Sequence, residues 1–107
     1  MANNYKNAKV DLTSTGATVL YTTPAATTAI FKSFLVVNDS VHNDTVTVII
    51  TDADTNVFTV YDLKAITSHT TIELLTGPLV VEENEIITVT AATADRLHVV
   101  ASLLEIN

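Results

Sequence analysis

The stretch from Thr27 to Asp52 constrains the fold most, because it holds two apolar runs rich in β-branched residues, Ala29–Val37 and Thr45–Thr51. Val, Ile, Phe and Thr suit a pleated, half-buried surface, whereas the Asn, Asp and Ser residues between the runs suit a turn. The pattern therefore predicts a β-hairpin in which Asn38–Asp44 forms the connection.

The two runs differ in the spacing of their apolar residues. In the second run Val46, Val48 and Ile50 alternate with mostly hydroxylated neighbours, which indicates one buried face and one polar face. The first run is apolar in both alternating phases, which places it at the centre of a sheet.

Turn signals recur every 8–12 residues along the rest of the chain, which is typical of a β-sandwich or jelly roll. The sequence predicts one all-β domain over residues 1–107, an antiparallel β-sandwich of about eight short strands, with residues 1–7 as an extended N-terminal arm. Tyr5–Asp11 is expected to be a short edge strand, and Asp62–Ser68 is expected to be a loop. The segment Arg96–Ile106 has apolar residues at helical spacing as well as β-branched ones, and we predict a strand there.

Composition narrows the classes of partner. The net charge is −7, and the five Lys and Arg residues form no cluster, which argues against binding to nucleic acid. The N-terminus lacks the apolar region of a signal peptide, and no apolar stretch reaches the roughly 18 residues that cross a bilayer. Only 16% of residues are charged. This fraction is low for an isolated soluble domain, so we expect part of the surface to be covered by another protein.

No constellation in the sequence indicates catalysis, a cofactor or a small-molecule substrate. Asp52–Asn56 begins like a calcium loop, but Val57 replaces the required Gly and Leu63 the bidentate Glu, so a turn is favoured. The acidic run around Glu82 is most simply a solvated loop tip. The three His residues are far apart, and there is no Cys. We therefore expect neither an enzyme nor a metal site, and weak calcium binding by Asp52 and Asp54 with backbone carbonyls stays open as an alternative.

Four segments together resemble a family of small all-β virion structural proteins of tailed bacteriophages, chiefly marine and cyanobacterial ones. The segments are VLYTTPA from Val19, TAIFKSFLVVN from Thr28, IELLTGPLVV from Ile72 and LHVVASLLEI from Leu97. The resemblance implies a head decoration or cement protein that binds the major capsid protein on the outer surface of the shell, together with copies of itself, as in a homotrimer. It offers no catalytic residues to carry over.

Loops at the ends of a sandwich and terminal arms are free to contact neighbours. The residues expected to make such contacts are Tyr5, Asn38, Asp39, His42, Asn43, Glu82, Glu83 and Asn84. Two alternatives stay open: a structural module of the tail, neck or fibre, and a carbohydrate-binding attachment module, although the latter is disfavoured by the lack of Trp. Assembly in the reducing host cytoplasm agrees with the absence of Cys.

Overall fold

The computed structural model describes residues 2–107 and consists of strands, turns and loops. Its nine strands are β1 (Asn3–Asp11), β2 (Thr18–Thr22), β3 (Thr28–Asn38), β4 (Asp44–Thr51), β5 (Val57–Ile66), β6 (Thr70–Glu73), β7 (Leu79–Val81), β8 (Ile86–Ala91) and β9 (Leu97–Ile106). Within these residues no helix is long and apolar enough to cross a membrane.

The strands form two antiparallel sheets. In the five-stranded sheet the order is β1-β9-β3-β6, with β7 also paired to β3. In the four-stranded sheet the order is β2-β8-β4-β5. The predicted all-β sandwich is therefore confirmed, with nine strands where about eight were expected.

The predicted hairpin is wrong, because β3 and β4 belong to different sheets. β3 pairs with β9, β6 and β7, whereas β4 pairs with β5 and β8. In each run, every second side chain is apolar, and a hairpin would place both sets of apolar side chains on the same face of one sheet. When the second run instead lies across from the first in the other sheet, the two sets face each other and both are buried.

The core lies between the sheets and follows the two-residue alternation of each strand. Phe34 and Val36 on β3 are completely buried, as are Val46 and Val48 on β4. Val99 on β9 is also completely buried. An edge-to-face contact with ring centroids 5.4 Å apart joins Tyr21 to Phe31 across the core.

The N-terminal segment is part of the fold rather than a free arm. β1 pairs with β9 from Asn3 to Asp11, and the Ala2 amide donates to the Asn107 carbonyl at 2.7 Å. This corrects the prediction of an arm over residues 1–7 for the part that is described; Met1 lies outside the described residues. Without β1, one edge of β9 would leave its backbone donors and acceptors without partners, which explains the pairing.

β9 is a strand, as predicted, and it is the second strand of its sheet, between β1 and β3. Its inward residues, beginning with Leu97 and Val99, are buried along its whole length. β5, in contrast, extends to Ile66 where a loop was expected. The pairing of β5 with β4 shifts register twice, and Leu63 has a positive φ of 49°. These irregularities interrupt the alternation from which a strand is recognised.

Candidate interaction face

The side of the five-stranded sheet that points away from the core is a regular surface, and we call it the outer face. Directly paired residues share a face, so the registers of β1, β9, β3, β6 and β7 arrange it in rows. Four rows cross the strands: Tyr5, Leu104, Ile30 and Val80 in the first; Asn7, Ser102 and Ser33 in the second; Lys9, Val100, Leu35 and Glu73 in the third; and Asp11, His98, Val37 and Thr71 in the fourth.

Apolar side chains occupy much of this outer face although no layer of the chain covers it. Tyr5 is 80% exposed, Val80 54% and Val100 37%. Ile30 and Leu35, on the central strand β3, are each only half-buried. An antiparallel sheet with one wet face usually alternates apolar and polar residues, and β3 and β9 depart from that pattern. Exposed apolar residues grouped on one face in this way indicate a site of interaction.

Charged groups lie at both edges of the outer face and at one place inside it. Lys9 is exposed on the edge strand β1, and Lys32 is exposed at the bulge of the central strand β3. On the opposite edge Glu73 accepts hydrogen bonds from the Ser33 hydroxyl and from the Phe34 amide, the latter at 2.6 Å. Desolvation acts to raise the pKa of Glu73, but these hydrogen bonds outweigh it and lower the pKa below 4.5. Glu73 is therefore a fixed negative charge opposite the lysines.

His98, in the fourth row, connects β1 to the segment that follows β3. Its Nδ1 lies 3.0 Å from Asp11 Oδ1, and its Nε2 lies 3.0 Å from Asp39 Oδ2. Both ring nitrogens can donate to these carboxylates only when the imidazole carries two protons. All three side chains are substantially exposed, so this ion pair contributes little to stability.

A second group of polar residues joins two buried side chains, Tyr21 and Glu105, to the half-exposed Lys6 at the edge of the sandwich. The Tyr21 hydroxyl donates to Glu105 Oε2, and Lys6 Nζ lies 3.4 Å from Glu105 Oε1. Glu105 is only 6% exposed. Burial raises the pKa of Tyr21 well above its ordinary value of 10.0, and the hydrogen bond and negative charge of Glu105 raise it further. The group ties β2 of one sheet to β9 and β1 of the other.

Asn38 is buried and is not available to a partner. Its amide nitrogen donates to the carbonyls of His42 at 2.8 Å and Ile66 at 3.0 Å. Its carbonyl oxygen accepts from the amide and the hydroxyl of Ser40. The prediction that Asn38 contacts a neighbour is therefore corrected: the side chain fixes the connection through which the chain passes from one sheet to the other.

The other predicted contact residues lie in three separate places. Tyr5 is on the outer face. Asp39, His42 and Asn43 lie in the exposed connection after β3. The remaining three lie at the opposite end of the sandwich, in the turn between β7 and β8: Glu82, Glu83 and Asn84. The structure does not bring these three groups together into one site.

The turn around Glu82 lies beside the Asp52–Asn56 turn, which the sequence alone did not indicate. Together they line a shallow depression with Asp52, Asp54 and Glu85. The Asp52 carboxylate is already engaged by the amides of Asp54 and Asn56, and the hydrogen bond from Asn56 lowers its pKa. Among residues 2–107 no three His, Asp or Glu side chains are arranged to hold a metal ion.

No protein-family model, curated protein or solved structure matches the chain significantly. The outer face must therefore be interpreted from its own chemistry. The sequence indicated this face in part, because the run Ala29–Val37 is apolar in both of its alternating sets of residues. The missing information was the pairing of β3 with β9, which sets Val100 and Leu104 beside Leu35 and Ile30.

Proposed function

We propose that the chain is a non-enzymatic virion structural protein that decorates or cements the head of a tailed bacteriophage. The single observation that carries the proposal is the uncovered apolar outer face, centred on Ile30, Leu35, Val100 and Leu104. A domain that leaves such a face open gains free energy by burying it against protein, and many copies on a particle would add that free energy repeatedly.

Two further features support an outer position on the particle. The net charge of −7 repels packaged DNA and suits a surface that faces solvent. Five acidic residues are gathered on the turns at one end of the sandwich: Asp52, Asp54, Glu82, Glu83 and Glu85. The outer face alone favours an assembly of some kind. The resemblance to virion proteins is the reason for proposing that this assembly is a phage particle.

The test is immunogold labelling of intact phage particles with an antibody raised against this chain. Gold distributed over the heads is the expected result. Gold confined to tails or necks would replace decoration by the tail-associated alternative. Particles without label, together with a positive signal from particles to which the purified chain was added, would overturn the virion assignment.

A further inference from the structure

The outer face is self-complementary about a line that runs parallel to the strands, between β3 and β9. In the first row Leu104 and Ile30 are equidistant from this line, and Tyr5 and Val80 lie beyond them on either side. A twofold axis along the line would place Leu104 of one copy over Ile30 of another. It would also place Tyr5 over Val80.

The charges obey the same symmetry. In the third row Lys9 and Glu73 occupy the two outer positions, with Val100 and Leu35 between them. The same axis sets Lys9 over Glu73 of the second copy, and it does so twice because the contact is reciprocal. Lys9 has no ion-pair partner among the described residues, and Glu73 makes hydrogen bonds but no ion pair there.

The second row continues the match with small hydroxyl side chains, since Ser102 and Ser33 exchange places under the axis. Small residues in the middle of the face allow two sheets to approach. Packed sheets lie about 10 Å apart and cross at about 30° because of their twist. The charged residue in the inner columns of the first three rows is Lys32, at the β3 bulge beside Ser33. It lines the same depression as Tyr5 and Asn7, so its long side chain can carry the ammonium toward the β1 edge and keep it in water.

The face is large enough for a specific interface. β9 contributes ten residues, and four strands lie side by side in each of the first and third rows. At about 3.4 Å per residue and about 4.8 Å between strands, β1, β9, β3 and the shorter β6 and β7 together project roughly 600 Å². A standard interface buries about 800 Å² of accessible surface on each partner, and a corrugated face exceeds its own projection.

We propose that a second copy of this chain covers the outer face, as a twofold-symmetric dimer with the axis between β3 and β9. This inference rests on the proposed structural function and names the partner of its face. It implies that the dimer contacts the shell through another surface.

Sedimentation velocity across low to high micromolar concentrations measures how strongly the chain dimerises. Charge-reversal variants measured in the same way test the predicted ion pairs. The expected result is a reversible monomer–dimer equilibrium that Lys9→Glu weakens on the order of tenfold, because two opposite-charge pairs become two like-charge pairs. Lys64→Glu is the matched control: Lys64 is exposed on β5 of the other sheet, so this variant should dimerise like the unchanged protein. High salt should reduce the difference between the two variants.

Cysteine cross-linking tests the orientation, and the chain contains no Cys of its own. An equimolar mixture of Tyr5→Cys and Val80→Cys is treated with a bismaleimide whose reach matches the spacing of about 10 Å between packed sheets. The expected product is a cross-linked heterodimer. A mixture of Tyr5→Cys and Val57→Cys is the control, since Val57 is equally accessible on the other sheet.

A chain that sediments as a monomer at every concentration would overturn the dimer, as would equal cross-linking in both mixtures. These results are independent of the particle experiment. Gold on the heads with a monomeric chain would retain decoration and assign the face to a different protein. A dimer with bare particles would retain the interface and remove the virion function.

Discussion

Replacing Tyr21 with Phe removes one buried oxygen atom and leaves the aromatic packing against Phe31 in place. The Tyr21 hydroxyl donates to the Glu105 carboxylate, whose other protein contact is Lys6 at 3.4 Å. A hydrogen bond to a charged group contributes about 1.5–3 kcal/mol, and a buried charge that loses a partner is costly. We expect Tyr21→Phe to lower the free energy of unfolding by about 2–3 kcal/mol.

Tyr61→Phe is the matched control for this substitution. The Tyr61 hydroxyl donates to the Leu74 carbonyl at 2.7 Å, and both partners are uncharged. Such a bond contributes about 0.5–1.5 kcal/mol. Urea unfolding followed by far-ultraviolet circular dichroism gives both values, provided that the m-values stay equal. A loss in Tyr21→Phe no larger than that in Tyr61→Phe would refute the reasoning.

A double-mutant cycle with Glu105→Gln isolates the pair. If the hydroxyl acts through the carboxylate charge, the sum of the losses of unfolding free energy in the two single variants should exceed the loss in the double variant by at least about 1 kcal/mol. Additive losses would show that the contribution of the Tyr21 hydroxyl does not depend on the charge of Glu105.

Three other outcomes follow from named contacts. Because burial raises the pKa of Tyr21, the folded chain retains a proton that the unfolded chain releases; the free energy of unfolding should therefore fall above about pH 10, by at most about 1.4 kcal/mol per pH unit, and less steeply in Tyr21→Phe. Asn38→Ala should cost about 2–4 kcal/mol in urea unfolding because it strips partners from the carbonyls of His42 and Ile66, whereas Asn43→Ala, which removes one exposed bond, should cost under about 1 kcal/mol. The lowered pKa of Glu73 stabilises the fold above pH 4.5, so part of the stability should disappear as the pH falls through and below that value, and Glu73→Gln should be less sensitive to acid in the same titration.

Local patterns in the sequence were sufficient for the class of fold and for most strands. Val46, Val48 and their neighbours alternate so regularly that β4 and its buried phase could be predicted. β9 was recognised because its β-branched residues outweighed the helical spacing. These are properties of neighbouring residues, and neighbouring residues report on a strand directly.

The sequence did not determine how strands combine into sheets. Asn38–Asp44 has the composition of a hairpin turn, yet the chain uses it to cross between the layers. One contact that holds this segment joins Asn38 to the Ile66 carbonyl, 28 residues away, and no local pattern encodes such a contact. β1 shows the same dependence on distant residues. It begins at Asn3 rather than at Tyr5, because Asn3 and Asn4 pair with β9.

The outer face also depends on long-range strand pairing, which local sequence patterns do not encode. Tyr5 was expected to contact a partner as part of a flexible arm, and it is exposed instead on a rigid strand. Lys9 and Glu73 were not singled out at all, because they are 64 positions apart and become one row only through Val100 and Leu35. A face is a property of register, and register is set by long-range pairing.

A cryo-electron microscopy reconstruction of the phage particle tests the central claim most directly. Our account predicts nine-stranded density on the head, with the outer face around Ile30, Leu35, Val100 and Leu104 covered by another protein chain. Density in which that face is open to solvent, while other surfaces make the contacts, would contradict it.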